Sequence, residues 1–428
     1  PPAAWRPVRI IALGVAQALT LVVLGWLLSG LSVDGFWTAL GTVVVLALLN
    51  GVLWPFVVRI TLPVVLVTAG LFTFVLNALF IWLAATLSEG VEIASFWTAL
   101  AVAFCLTVVN ISIGGLLSID DDHTWRQRVI QRLVRRTGSP APSDVPGFLF
   151  IQIDGLGHDV LVDAMAKGHA PFLARLVEHG THRLHAWECD LSSQTGAMQA
   201  GILLGDNHNM PAFRWYEKAD GRVLVTNRPA DAAELEARHS TGAGLLAHGG
   251  ASRATVFSGD APDTLFTFSS VSEKKVQERS QFLYVVATPY ALFRIIALGV
   301  VDIVREKRAY RRARKQGVEP LGHRGGVYPL LRAATTVALP EITWSVLVAD
   351  VVRGVSSAYV DLVGYDEVAH HSGLAAPDAL DTLRRTDDQI ERFVATLDGA
   401  PRPYHVVVLA DHGQTQGATF QQRYGDCL

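Results

Sequence analysis

Four apolar runs fill the first quarter of the chain, at about 10–31, 36–58, 62–87 and 96–117, and almost no charge interrupts them. At 1.5 Å per helical residue, each can cross a hydrocarbon core of roughly 30 Å. A secretory signal would be one shorter run followed by a cleavage site, so the pattern predicts four membrane-spanning helices instead. The runs repeat. FWTAL stands at 36–40 and again at 96–100, and Asn50 and Asn110 each follow their Phe by 14 residues. The turns before the two copies, LSVDG and LSEGVEIAS, are both acidic. This predicts a duplicated two-helix hairpin whose copies share one orientation, a parallel repeat. Asn50, Asn77 and Asn110 inside the runs read as hydrogen-bonding groups between helices.

Charge orients the runs. Arg6 and Arg9 precede the first, Arg59 separates the second from the third, and five arginines between 126 and 136 follow the fourth. The opposite loops hold Asp34, Glu89 and Glu92 and no Lys or Arg. The positive-inside rule then places both ends of this region on the cytoplasmic side of a membrane. Residues 119–146, with a basic amphipathic stretch and TGSPAPSDVPG, predict a linker.

From residue 147 the pattern changes to short apolar runs alternating with amphipathic ones. GFLFIQIDG at 147–155 predicts a buried parallel strand ending in Asp154, and PFLARLVEHG at 171–180 predicts a helix stopped by Gly180. SSAYVDLV at 356–363 predicts a second strand, with GYDEVAHHSG as the loop after it. PDALDTLRRTDDQIERFVATL at 377–397 predicts a helix, and YHVVVLA at 404–410 a third strand ending in Asp411, His412 and Gly413. Ligands in such sheets bind beyond the carboxyl ends of the strands. Three strand ends there offer Asp154, Asp366 with His370, and Asp411 with His412. Carboxylates with imidazoles suit zinc or a similar divalent ion.

Composition narrows the reading. The 428 residues are enough for two or three domains. Half are hydrophobic and 18% charged, which is too apolar for an ordinary soluble protein. A net charge of -3 makes no case for nucleic acid. Cys105, Cys189 and Cys427 have no motif spacing, so neither a disulfide framework nor a Cys-based metal site is expected. The chain begins with Pro and stops at RYGDCL, and it reads as trimmed at both ends.

Two resemblances are visible. The segment NGVLWPFVVRITLPVVLVTAGLFTFVLNAL at 50–79 resembles the four-span phage-holin-like membrane family. Residues 147–428 resemble the alkaline phosphatase superfamily, and within it the type I phosphodiesterase/nucleotide pyrophosphatase branch. The resemblance rests on the order Asp-Gly after a strand, a Thr loop, DEVAHHSG and DHG, with PFLARLVEHG as a companion helix. It implies a multi-domain protein. Residues 1–118 would be an α-helical membrane domain with four spans. Residues 147–428 would be an α/β catalytic domain, truncated at its C-terminus, with a mostly parallel central sheet flanked by helices.

The resemblance also implies a site. Asp154, Asp411 and His412 match the ligands of one metal ion, and Asp366 with His370 match ligands of a second, His371 being the alternative to His370. Thr195 in CDLSSQTGAMQAGILLG matches the nucleophile, which also contacts metal, with Ser192 and Ser193 as alternatives. The family's Asn three residues after the Thr is replaced by Met198, and the family's further His downstream of DHG has no counterpart here. The implied cofactors are two divalent ions, zinc or manganese. The implied activity is cleavage of a phosphoester through a phospho-threonine intermediate, by a membrane-anchored phosphodiesterase. Alternatives are transfer of a phospho-headgroup onto an envelope component and a non-enzymatic holin-like protein.

LYVVATPYALFRIIALGVV at 283–301 is nearly long enough to span a membrane, and REKRAYRRARK at 305–315 follows it. A span here would put Asp154 and Asp366 on opposite sides of the membrane. The stretch is therefore expected to lie at the membrane surface or to pack on the protein, with 262–330 as a candidate membrane-apposed insertion. In DNHNMPAFRWYEK at 206–218, His208, Arg214 and Trp215 either shape a substrate pocket or belong to a packed surface loop, and GGASRATVFSGDA at 249–261 is a candidate lining of the cleft.

Overall fold

The computed structural model describes residues 5–53, 57, 72–117, 142–271, 289–318, 322, 324–418 and 420–425. The chain divides into two compact units, 1–125 with 278–297, and 126–277 with 298–428. The predicted linker lies almost wholly outside the described residues, and Arg59, the arginines at 126–136 and all of 272–288 lie wholly outside them.

In the first unit, helices α1 (Trp5–Leu27), α2 (Phe36–Val52), α3 (Phe72–Leu87) and α4 (Phe96–Leu117) are apolar nearly all the way round. Such helices belong in a large core or in lipid. Their small residues pack inward, with Ala18, Ala39, Ala78 and Ala99 fully buried. Large apolar side chains point outward. Trp37 is 80% exposed and Trp97, its counterpart in the repeat, 75% exposed.

The duplication is built into the backbone. Strand β1 (Leu31–Val33) pairs antiparallel with β2 (Val91–Ile93), and Ser32 faces Glu92, its counterpart 60 residues on. The amide of Asp34 donates to the carbonyl of Gly90 at 2.9 Å, and that of Ala94 to Gly30 at 2.8 Å. These two bonds are the same contact seen from each copy. Asn50 and Asn77, expected to bridge helices, line a cavity of about 530 Å³ together with Gln17 and Thr107. The Asn110 side chain lies outside the described residues.

The second unit is built on a five-stranded sheet: β3 (Gly147–Ile153), β6 (Ala251–Arg253), β7 (Asp263–Leu265), β8 (Ser357–Leu362) and β9 (Tyr404–Leu409). Their order is β7-β6-β8-β3-β9 and every pairing is parallel. A separate hairpin joins β4 (Arg214–Glu217) to β5 (Arg222–Val225).

The helices are α5 (His158–Ala166), α6 (Pro171–Glu178), α7 (Thr195–Leu204), α8 (Pro229–His239), α9 (Pro289–Lys315), α10 (Tyr328–Arg353, with a π-helical stretch at Ala334–Ala338), α11 (Gly364–Ser372), α12 (Pro377–Val394) and α13 (Phe420–Tyr424). Helices α5, α6, α10, α11 and α12 cover one face of the sheet, and α7 and α8 the other. Alternate residues of β3 serve alternate faces, as the period of two demands. Leu149, Ile151 and Ile153 join Leu347 of α10, Val368 of α11 and Leu383 of α12 in one core. Phe150, with Tyr359 of β8, packs beside Leu203 of α7 and Leu235 of α8 in the other.

Among the described residues one helix, α10, is long and apolar enough to cross a membrane. Trp344, Leu347 and Val351 lie in the core under the sheet, so α10 belongs to the α/β unit.

Two expectations need correction. GYDEVAHHSG is the helix α11, not a loop. Its acids occupy the first turn and its histidines the last, where each suits the helix dipole, and Gly373 stops it at φ +103. GGASRATVFSGDA forms β6 and a core segment: Val256 and Phe257 are buried, and Arg253 is locked between Asp350 and Asp263. In 206–218, Arg214 and Trp215 belong to β4 and the His208 carbonyl bonds the His239 ring.

Candidate active site

The carboxyl ends of three neighbouring strands, β8, β3 and β9, carry the site. Asp154 follows β3, Asp411 and His412 follow β9, and Asp366 sits in the first turn of α11 after β8. Gly155 makes their approach feasible. Its φ is +69, and a Cβ there would lie 2.1 Å from Oδ1 of Asp366.

Asp154, Asp411 and His412 each offer a ligand atom within 4.8 Å of the other two. The His412 ring bonds the carbonyl of Gly413 through Nδ1 at 2.9 Å. A carbonyl only accepts, so Nδ1 carries the proton and the lone pair of Nε2 faces the cluster. Nε2 stands 3.5 Å from Oδ1 of Asp154. Thr195 opens α7, and its Oγ1 lies 3.2 Å from Nε2 of His412 and 3.4 Å from Oδ1 of Asp154. Ser193 is exposed and contacts the Cys189 thiol. Met198 is buried and presents no polar group.

Asp366 accepts from the Gln414 amide at 2.5 Å, and its other oxygen is 3.2 Å from Nε2 of His370. The spacing of four on a helix puts Asp366 and His370 on one face. The His370 side chain is 62% exposed. His371 turns elsewhere: its ring lies 3.8 Å from that of Tyr328, and its Nε2 is 3.6 Å from Glu367.

The cluster is short of positive charge. Burial, then the carboxylates of Asp411, Asp361 and Asp366, push Asp154 well above the usual carboxylate range. Burial also raises Asp411, whose Oδ2 has no hydrogen-bond partner. Burial works against Asp366 too, but the hydrogen bond and charge of His370 hold it below its ordinary value. That hydrogen bond in turn raises His370. Crowded buried carboxylates, an orphaned oxygen and an imidazole lone pair aimed at them fit a divalent cation.

Residues 148–425 match the family model for type I phosphodiesterase / nucleotide pyrophosphatase. The chain belongs to this family. Residues 8–112 match a second family model, the mycobacterial four-TMS phage holin, superfamily IV. The chain is 30% identical over 100 residues to the uncharacterized membrane protein YvlD of Bacillus subtilis (strain 168), covering 23% of this chain and 84% of that protein. It is 32% identical over 117 residues to the uncharacterized protein SCO3922 of Streptomyces coelicolor, covering 25% of this chain and 94% of that one. No solved structure gives a significant match. Together these make the chain a membrane protein with a holin-like helical region followed by an α/β domain of the phosphodiesterase family.

Sequence reasoning missed the layer behind the site. Asp361 of β8 and Gln152 of β3 are fully buried and meet Gln199 of α7, four residues after Thr195. The Gln199 amide donates to Asp361 at 2.7 Å and to Gln152 at 3.3 Å, and its oxygen accepts from the amide of Val256 at 2.8 Å. Burial and the Asp411 carboxylate push Asp361 far up. The signal was present: an acid and a glutamine interrupt strands otherwise apolar throughout, and such groups need buried partners.

Proposed function

We propose that this protein cleaves phosphodiesters with Thr195 as nucleophile. The observation that carries the reading is Thr195 at the first position of α7, its hydroxyl facing both Asp154 and His412. Asp154, Thr195, Asp411 and His412 would hold one divalent cation and Asp366 with His370 a second, zinc or manganese. Such ions supply charge neutralisation for the phosphoryl oxygens and favour the ionised form of a hydroxyl.

The residues do the rest. The Thr195 hydroxyl gives up its proton to solvent and Oγ forms a bond to phosphorus, while the ester oxygen opposite leaves and takes a proton from water. Water then attacks the phospho-threonine, the Oγ–P bond breaks, and the hydroxyl is restored. The first amides of α7 lack intrahelical partners, and a helix start of this kind suits a phosphoryl group. Gln414 holds Asp366, and the Gly413 carbonyl holds the His412 ring, so the ligand set is oriented before substrate arrives.

We infer further that α1–α4 cross the bilayer, with the α/β unit in the cytoplasm. The outward apolar side chains of these helices and the arginine asymmetry of their flanks support this. The reading is tested with full-length protein in detergent, using an aryl phosphodiester and an aryl phosphomonoester. Diester turnover that chelator abolishes and zinc or manganese restores supports it. Turnover indifferent to chelator contradicts it.

A further inference from the structure

Helix α9 has two unlike halves around its axis. At 100° per residue, Asp302 and Glu306 fall on one side. Both are fully buried. The other side carries the exposed Val300, Val301 and Val304, then the seven basic residues of 305–315, every one exposed. None of the seven has an acidic partner among the described residues. Seven unneutralised cations extend along about 15 Å of helix, with a band of aliphatic side chains just before them.

The buried side is held firmly. Arg332 bonds Asp302 at 3.0 Å and also pairs with Glu306. Arg324 bonds Glu306 at 2.6 Å and Asp378 at 2.5 Å, and Arg385 bonds Asp302 at 2.9 Å. Asp378 also accepts from Ser372, the last residue of α11, the helix that carries Asp366 and His370. The charges on this side are spent internally, so the outward cations are free to serve a partner.

We propose that residues 298–315 dock on the anionic face of a lipid bilayer. The exposed valines enter the edge of the acyl region, and the cations lie among the phosphates. The order along the helix argues for lipid over other polyanions: apolar residues meet hydrocarbon at one end, and basic residues meet headgroups at the other. Lysines and arginines near an anionic leaflet add their attraction within a Debye length of the surface. Docking here, transmitted through Asp378 and Ser372, would hold α11 at a set distance from the headgroups. The inference does not depend on the catalytic reading.

The test uses the full-length chain in nanodiscs of phosphatidylcholine alone or with about a third phosphatidylglycerol. A fluorophore is attached at Gln316→Cys, with Cys105, Cys189 and Cys427 changed to Ser, and a headgroup-bound quencher is included in the lipid. The expected result is at least about twofold stronger quenching in the anionic discs. That excess should vanish in 1 M salt, where the Debye length is about 3 Å. It should also vanish when Arg308, Arg311, Arg312 and Lys315 are changed to Glu. Equal quenching in both lipids overturns the proposal. So does an anisotropy rise with added duplex DNA and no lipid effect, which would identify a nucleic-acid surface instead.

Discussion

Thr195 Oγ1 stands 3.2 Å from Nε2 of His412, although 217 residues separate them in sequence. The contact joins the start of α7 to the end of β9 and sets the hydroxyl beside the Asp154 carboxyl. Thr195→Ala should lower diester turnover by roughly 10³-fold or more, the scale seen when a covalent nucleophile is removed. Thr195→Ser should keep measurable turnover, because the hydroxyl remains at the helix start. Steady-state kinetics on both variants checks this.

His370 and His371 are neighbours with different tasks. His370→Ala should weaken metal retention and lower turnover, since it removes the partner of Asp366. His371→Ala should leave metal content unchanged and cost about 0.5–1.5 kcal/mol of stability through its lost contact with the Tyr328 ring. Elemental analysis and denaturant unfolding of the two variants separate the roles.

Metal removal should make stability depend on pH. In the ion-free protein Asp154 and Asp411 have raised values, so the fold binds their protons more tightly than the unfolded chain. Their contribution is full below the ordinary value of 3.8 and is lost as pH rises through the raised values. Asp366 runs the other way, because its value is lowered, but the raised carboxyls outnumber it. Chelated protein should therefore melt several degrees lower at pH 8 than at pH 5, and restoring zinc or manganese should close the gap. A melting curve that rises with pH in chelator would contradict the electrostatic account.

Gln199→Leu should destabilise the α/β unit by about 3 kcal/mol, because Asp361 and the Val256 amide are orphaned at about 1–3 kcal/mol each, while Gln152 keeps the Tyr359 hydroxyl. Chemical denaturation checks the size of the loss.

Much of this site is legible in the sequence because its residues stand where strands end. Asp154 and Asp411 close apolar runs of β length, so their place at one edge of a parallel sheet follows from the run and the residue after it. Thr195 has no such local marker, and only the resemblance singles it out. α11 was misjudged because its acids and histidines were read as chemistry, when their spacing also makes a helix with a favourable dipole. Asp361 and Gln152 escaped because each is a single polar residue in an apolar strand, and the partner that makes it tolerable, Gln199, is distant in sequence. The strand order, with β3 between β8 and β9, comes from long-range packing that no local pattern encodes.

The most direct test traps the intermediate. Full-length protein with zinc or manganese is mixed with an aryl phosphodiester, quenched in acid within the first turnovers and digested for mass spectrometry. The account predicts the retained phosphoryl half of the substrate on the peptide containing Thr195, and no adduct in Thr195→Ala. Diester turnover with no adduct on that peptide, or an adduct on Ser192 or Ser193, would contradict it.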